Sequence, residues 1–115
     1  MVEGSIDLSV FNELQEATGS DFIKELVETF LEEAPGIFAE LKDAATTGGI
    51  DQYRRASHSI KSSANIFGAH ELAELACQME LSGLKPDQEA THQEIDALRA
   101  AFERSAEGLK GLLDG

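Results

Sequence analysis

The sequence predicts an all-α fold, an antiparallel four-helix bundle with a short extra helix at its N-terminus. Apolar residues recur at spacings of three and four along the whole chain, which is typical of helices that bury one face. Ala, Leu, Glu and Lys, which favour helices, are abundant, and only two prolines interrupt them. The segments between the expected helices are short, which favours antiparallel neighbours. With 115 residues, the chain is expected to form a single domain over 1–115.

The first half of the chain divides at residues that start and stop helices. A short first helix is expected to begin with Asp7 or Ser9 as its N-cap and to end near Gly19. Ser20 is the predicted N-cap of the next helix. Pro35 is expected to open a further helix, because a proline in the first turn costs no hydrogen bond. That helix is predicted to end at the pair of glycines that follows.

The second half contains a predicted helical hairpin and a last helix. Asp51 is the expected N-cap of a helix that runs through Phe67, with Gly68 in a left-handed conformation after it. The next helix is expected to stop at Gly83 and to pack back on its predecessor, and a proline–aspartate pair then opens the last helix. Five phenylalanines at helical spacings are predicted to lie in the core: Phe11, Phe22, Phe30, Phe38 and Phe102.

The charge of the chain excludes several classes of partner. There are 22 acidic residues against 9 Lys and Arg, a formal net charge of −13. Such a protein repels nucleic-acid phosphates and anionic membrane surfaces, so we expect neither as a partner. The acidic N-terminal segment is unlike a secretory leader and the single Cys77 has no intramolecular disulfide partner, which predicts a cytoplasmic protein.

One segment of this acidic chain is basic. Residues 52–70 contain three basic residues and no Asp or Glu. On a helical projection at about 100° per residue, His58 lies at the centre of an exposed side. With it lie Arg54, Arg55, Lys61, Ser62 and Asn65. The opposite side, predicted to be core, consists of Tyr53, Ala56, Ile60 and Phe67.

These neighbours suggest a specific chemistry for His58. No acidic residue lies three or four positions away, so no carboxylate of the same helix orients the ring as in a catalytic triad, and a general base is not favoured. A neutral imidazole is nucleophilic, and adjacent cations attract a dianionic phosphoryl group. His58 is therefore a candidate phosphoryl acceptor. The simpler alternative is an exposed surface histidine.

The residues from His58 to Ala69 resemble the signature of histidine-containing phosphotransfer (HPt) domains. Lys61 follows the histidine by three residues, and a Gly-Ala pair follows it by ten and eleven. The resemblance continues through Leu72, Leu75, Cys77, Met79 and Glu80, and upstream from Asp21 to Pro35. It covers roughly residues 6 to 110.

The resemblance implies a phosphorelay carrier with a four-helix bundle. His58 would accept a phosphoryl group from a phospho-aspartate on a receiver domain and pass it to another receiver, and Lys61 would contact the phosphoryl oxygens. The implied partners are response-regulator receiver domains and a hybrid sensor kinase. The chain itself is expected to bind no cofactor or metal, with Mg²⁺ supplied by the receiver. No Walker-type or kinase glycine-rich motif is present, so no kinase activity is expected.

Other residues of the same helix are predicted to bind the partner: Arg54, Arg55, Ser62 and Asn65. The two arginines either aid docking or solvate the helix. Ser62 stands where the family often has glycine, and either narrows the approach of a receiver or lends a hydroxyl to the phosphate. His70 and His92 are read as surface residues and Cys77 as a buried thiol. A monomer is expected.

Two alternatives compete with the carrier. One is an HPt-like interaction module that binds receivers or other proteins without taking phosphate. The other is the dimerising histidine domain of a sensor kinase, which is disfavoured because Ser59, not an acid, follows His58. Met1 and the length favour a free-standing protein over a domain of a larger kinase.

Overall fold

A computed structural model describes residues 2–3 and 6–114 of the chain. The described residues form five helices: α1 (Leu8–Thr18), α2 (Ser20–Thr47), α3 (Ile50–Phe67), α4 (His70–Ser82) and α5 (Gln88–Asp114). Two strands that were not predicted, β1 (Val2–Glu3) and β2 (Ile6–Asp7), pair antiparallel before α1. The all-α fold class is confirmed, whereas the single-domain boundaries 1 and 115 lie outside the described residues.

Helices α2 to α5 form a four-helix bundle. Each packs against the next, and α2 also packs against α5, which closes the bundle, while α1 lies against α2 and α3. Their buried sides meet in one apolar cluster because each helix places its large apolar residues on one face. Its largest members from the four long helices include Phe38, Leu41, Tyr53, Ile60, Leu72, Ile95, Leu98 and Leu109.

The prediction that Pro35 opens a separate helix is wrong. Pro35 lies inside α2, which continues unbroken for 28 residues. An interior proline removes one backbone hydrogen bond and costs about 3 kcal/mol. Here its side chain is exposed, and a single buried stripe continues on both sides of it: Ile23, Val27, Phe30, Ala34, Phe38 and Leu41. Burial of this stripe outweighs the local cost of the proline. The segments predicted before and after Pro35 therefore form one long helix, α2, which is one of the four helices of the bundle.

The helix starts are confirmed in part. The Asp7 carboxylate accepts a hydrogen bond from the Ser9 N–H at 3.0 Å, as an N-cap does. Ser20 and Asp51 are not N-caps, because Gly19 and Gly49 hold those positions. Gly19 is both the C-cap of α1 and the N-cap of α2, so Ser20 is the first residue inside α2. Asp51 lies in the first turn of α3, where its charge favours the helix dipole.

Of the five phenylalanines predicted to lie in the core, Phe22 is the one for which the prediction is wrong. It is 50% exposed, because its neighbour Ile23 takes the buried position at the start of α2. Phe102 is partly buried and makes edge-to-face contacts with two buried rings, with centroids 5.5 Å from Phe30 and 5.6 Å from Phe38. Within the described residues, no helix is both long enough and apolar enough to cross a lipid bilayer.

Candidate functional site

Helix α3 buries one side and exposes the other, as its periodicity predicts. Tyr53, Ala56, Ile60 and Phe67 are all buried, whereas the His58 side chain is 57% exposed. The start of α3 is fixed to α5 by the Tyr53 hydroxyl, which donates to Glu94 Oε1 at 3.0 Å. Burial, followed by the charge of Glu94, raises the pKa of the Tyr53 phenol. The histidine therefore stands on a firmly anchored helix with its ring accessible.

The turn after α3 sets the position of the next helix. Gly68 has a φ of +79° and ends α3 in the left-handed conformation that the sequence predicts. The Ala69 N–H reaches back to the Ala64 carbonyl at 2.8 Å, which closes the turn. Helix α4 then runs back along α3. His58 lies ten residues before Gly68 and Glu80 lies twelve after it, so the hairpin brings these two side chains together.

Glu80 is the site residue that the helical projection of α3 could not reveal. Its Oε2 lies 2.7 Å from His58 Nδ1, and its Oε1 accepts a hydrogen bond from Lys61 Nζ. One carboxylate from α4 thus holds both predicted chemistry-bearing residues of α3. As the sequence predicts, no carboxylate of α3 itself orients the His58 ring. The neighbouring helix α4 supplies one instead, from Glu80. The signal available in the sequence was the hairpin, which places the two positions opposite one another.

The electrostatics of this cluster determine which nitrogen of the ring is free. The hydrogen bond from Lys61 is the main reason that the pKa of Glu80 lies below its usual value; partial burial opposes this, and the contact with His58 adds to it. The same pair raises the pKa of Lys61. An ionised carboxylate can only accept hydrogen bonds, so the proton of the neutral imidazole lies on Nδ1. Nε2 then carries the lone pair.

Ser62 approaches the ring from the other side. Its Oγ lies 3.4 Å from His58 Nε2, and its side chain is exposed. The structure thus brings together His58, Lys61, Glu80 and Ser62. The other predicted partner-binding residues, Arg54, Arg55 and Asn65, are exposed along α3. Within residues 6–114, no ion pair involves either arginine, so their charges face solvent while that of Lys61 is balanced by Glu80.

The remaining candidate residues lie apart from this cluster. His70 and His92 are exposed, as expected. His70 Nε2 contacts Asp7 Oδ2 at 2.8 Å, and this hydrogen bond is the main cause that lowers the pKa of Asp7. Cys77 is only partly buried. Among the described residues, no group of three or more His, Cys, Asp and Glu side chains is arranged to hold a metal ion.

Comparison with known proteins assigns the family. The model of the Hpt domain family matches residues 25–108. The chain belongs to the Hpt family. The match includes most of α2 and all of α3 and α4, so the four clustered residues of the candidate site lie inside it. The resemblance read from His58 to Ala69 is therefore confirmed.

A curated relative supports the same assignment. The sensor protein TorS of Escherichia coli (strain K12) is 30% identical over 99 residues, which are 86% of this chain. The aligned chain spans only 11% of the length of TorS. No solved structure matches significantly. Hpt domains are phosphocarriers of phosphorelays and not kinases, so the chain is a phosphorelay Hpt module.

Proposed function

We propose that this Hpt module carries phosphoryl groups between receiver domains, with His58 as the acceptor. The observation that carries the proposal is the exposed imidazole with Nδ1 bound to Glu80, which leaves the Nε2 lone pair as the nucleophile. The family match supports the phosphorelay role. The partners would be receiver domains of response regulators and a hybrid sensor kinase, in keeping with the similarity to a sensor protein.

The transfer step follows from the orientation of the ring. Nε2 attacks the phosphorus of an aspartyl phosphate on the receiver, and the N–P bond forms as the P–O bond to the aspartate breaks. The electron pair of that bond leaves with the aspartate carboxylate, while Nδ1 keeps its proton. Positive charge develops on the ring, and the Glu80 carboxylate at 2.7 Å stabilises it.

Lys61 supplies positive charge on the same side of α3. Its ammonium has three N–H donors, so it can stay bonded to Glu80 and also donate to a phosphoryl oxygen. Because its side chain is only 26% exposed and anchored by Glu80, little conformational entropy is lost when the phosphoryl group arrives. Lys61 is therefore the proposed phosphoryl contact.

The divalent cation of the reaction is proposed to come from the receiver. Phosphoryl transfer is assisted by a metal ion that neutralises developing charge. Mg²⁺ prefers several oxygen ligands, whereas the donor set around His58 offers a single carboxylate whose oxygens already accept from Lys61 and contact His58. This donor set suits a phosphoryl group and does not suit Mg²⁺.

Docking is proposed to use the exposed cations of α3. Arg54 and Arg55 are exposed on α3 in a protein whose formal net charge is −13, so the face around His58 carries local positive charge. Attraction to an acidic receiver pocket would raise the association rate and orient the partner.

Replacing Glu80 by alanine is expected to slow acceptance of the phosphoryl group about 10- to 100-fold, as when the group that orients a functional histidine is removed. The ring loses its Nδ1 partner and Lys61 loses its anchor. The rate is measured by rapid quench with a phosphorylated receiver. Glu74→Ala, an exposed change on the same helix, is the matched control. A Glu80→Ala rate equal to that of the control would contradict the role assigned to Glu80.

The proposal is tested by incubating the protein with a panel of phosphorylated receiver domains and Mg²⁺. We expect label from at least one receiver, stable to alkali and labile to acid as a phosphohistidine is, and located in the α3 peptide that contains His58. A folded protein that binds receivers tightly but takes no label would support the interaction module instead.

A further inference from the structure

The hydroxyl of Ser62 is directed at the atom that would be phosphorylated. Its Oγ lies 3.4 Å from His58 Nε2, one helical turn away. Because Nε2 carries the lone pair, the hydroxyl is the donor in this contact. The distance is long for a hydrogen bond of this type, so the contact is weak and easily exchanged for a better one.

Two other serines of α3, Ser57 and Ser59, behave differently. Ser57 Oγ donates to the Tyr53 carbonyl at 2.9 Å, and Ser59 Oγ donates to the Arg55 carbonyl at 3.0 Å. This return to the carbonyl four residues earlier is the common arrangement for a serine inside a helix. Ser62 contacts the imidazole instead. Its hydroxyl is thus placed for the site and not for the backbone.

We propose that Ser62 is a positioning residue that prolongs the lifetime of phospho-His58. Once the N–P bond has formed, the Nε2 lone pair is used, and the phosphoryl oxygens lie just beyond Nε2, within reach of the Ser62 hydroxyl. The hydroxyl then donates to a phosphoryl oxygen from one side, while Lys61 does so from the other. This inference rests on the proposed role of His58 as acceptor.

The hydrogen bond slows loss of the phosphoryl group for a geometric reason. Without a receiver, water takes the group: an O–P bond forms as the N–P bond breaks, and the electron pair of that bond returns to Nε2. The Ser62 hydroxyl is fixed on α3 beside Nε2, so it meets the phosphoryl oxygens best while phosphorus is bonded to Nε2, and the N–P bond is already long in the loose transition state. A donor on these oxygens therefore stabilises the phosphohistidine more than the transition state, and the barrier rises. Glycine or alanine at this position would provide no such donor.

The test uses phosphoramidate, a small-molecule donor that needs no partner protein. Wild type, Ser62→Ala, Ser62→Gly and Ser62→Thr are phosphorylated, the donor is removed, and decay of the phosphohistidine signal is followed by ³¹P NMR. We expect the alanine and glycine variants to lose label about three- to tenfold faster, as for loss of one hydrogen bond. Threonine, which keeps the hydroxyl, is expected to restore the wild-type lifetime.

Two controls isolate the hydroxyl. Ser59→Ala removes a neighbouring hydroxyl that is bonded to the backbone and is expected to leave the lifetime unchanged. The ³¹P chemical shift is expected to move in Ser62→Ala and not in Ser59→Ala, which a general loss of stability would not produce. Thermal unfolding by circular dichroism checks that each variant is folded.

The outcomes separate this inference from the proposed function. Wild-type decay in Ser62→Ala overturns the inference and leaves the acceptor role of His58 intact. Faster decay in the glycine variant alone also overturns it, because the cause is then the volume of the side chain. A folded wild type that forms phosphohistidine with neither phosphoramidate nor any receiver overturns both.

Discussion

Replacing His58 by glutamine is expected to abolish transfer of a phosphoryl group from a phosphorylated receiver domain to this protein. Glutamine can still donate a hydrogen bond to Glu80, but its amide nitrogen is not a nucleophile. The His58 side chain is 57% exposed, so its replacement leaves the core intact. The free energy of unfolding is expected to change by less than about 0.5 kcal/mol. Transfer is measured with radiolabelled receiver, and folding by urea unfolding.

The matched control is His92→Gln, which changes an exposed histidine of α5 and is expected to accept label like the wild type. Label that persists in His58→Gln at the wild-type level would place the acceptor elsewhere. Loss of label in both variants would show that the assay reports on something other than the His58 ring.

The largest expected loss of stability comes from Gly68→Ala. Gly68 has a φ of +79°, where an alanine is less stable by about 1–2 kcal/mol. An added Cβ would also lie 2.8 Å from Val10 Cβ and 3.1 Å from the backbone oxygen of Asp7, so α1 would have to move. Overpacking of this kind costs about 1–3 kcal/mol. The free energy of unfolding is therefore expected to fall by about 2–5 kcal/mol.

Gly48→Ala separates the two causes. Gly48 has nearly the same φ, +78°, at the end of α2, but an added Cβ there meets nothing within 4 Å. The free energy of unfolding of Gly48→Ala is therefore expected to fall only by the backbone cost of about 1–2 kcal/mol. Both variants are measured by urea unfolding at equal protein concentration. Equal losses would show that α1 yields freely at Gly68 and that the contact with Val10 carries no energy.

The sequence was most informative where the physics is local. Helical periodicity depends only on spacing, so it identified both the exposed His58 and the buried side of α3 that contains Tyr53 and Ile60. The left-handed Gly68 was predicted for the same reason, because only glycine enters that conformation at low cost. These features positioned the candidate site before any tertiary contact was known.

The errors arose where tertiary packing outweighs a local rule. Pro35 was assigned to a helix start from its missing N–H, yet burial along the whole of α2 dominates. Phe22 was assigned to the core from its helical spacing, but the packing of α2 buries Ile23 instead. Glu80 was not found because it reaches His58 from another helix, and the register of α4 against α3 is set by the turn.

The contacts around Gly68 also link the start of the chain to the centre of the fold. The Asp7 N–H donates to the Gly68 carbonyl at 2.9 Å, and the Asp7 carboxylate meets His70 at the start of α4. Asp7 lies before position 25, where the match to the family model begins, whereas Gly68 and His70 lie inside that match. The segment that the family model matches is therefore shorter than the packed unit of this chain, whose contacts extend back at least to Asp7. A boundary drawn at residue 25 would cut through that unit and expose the turn that aligns Glu80 with the histidine.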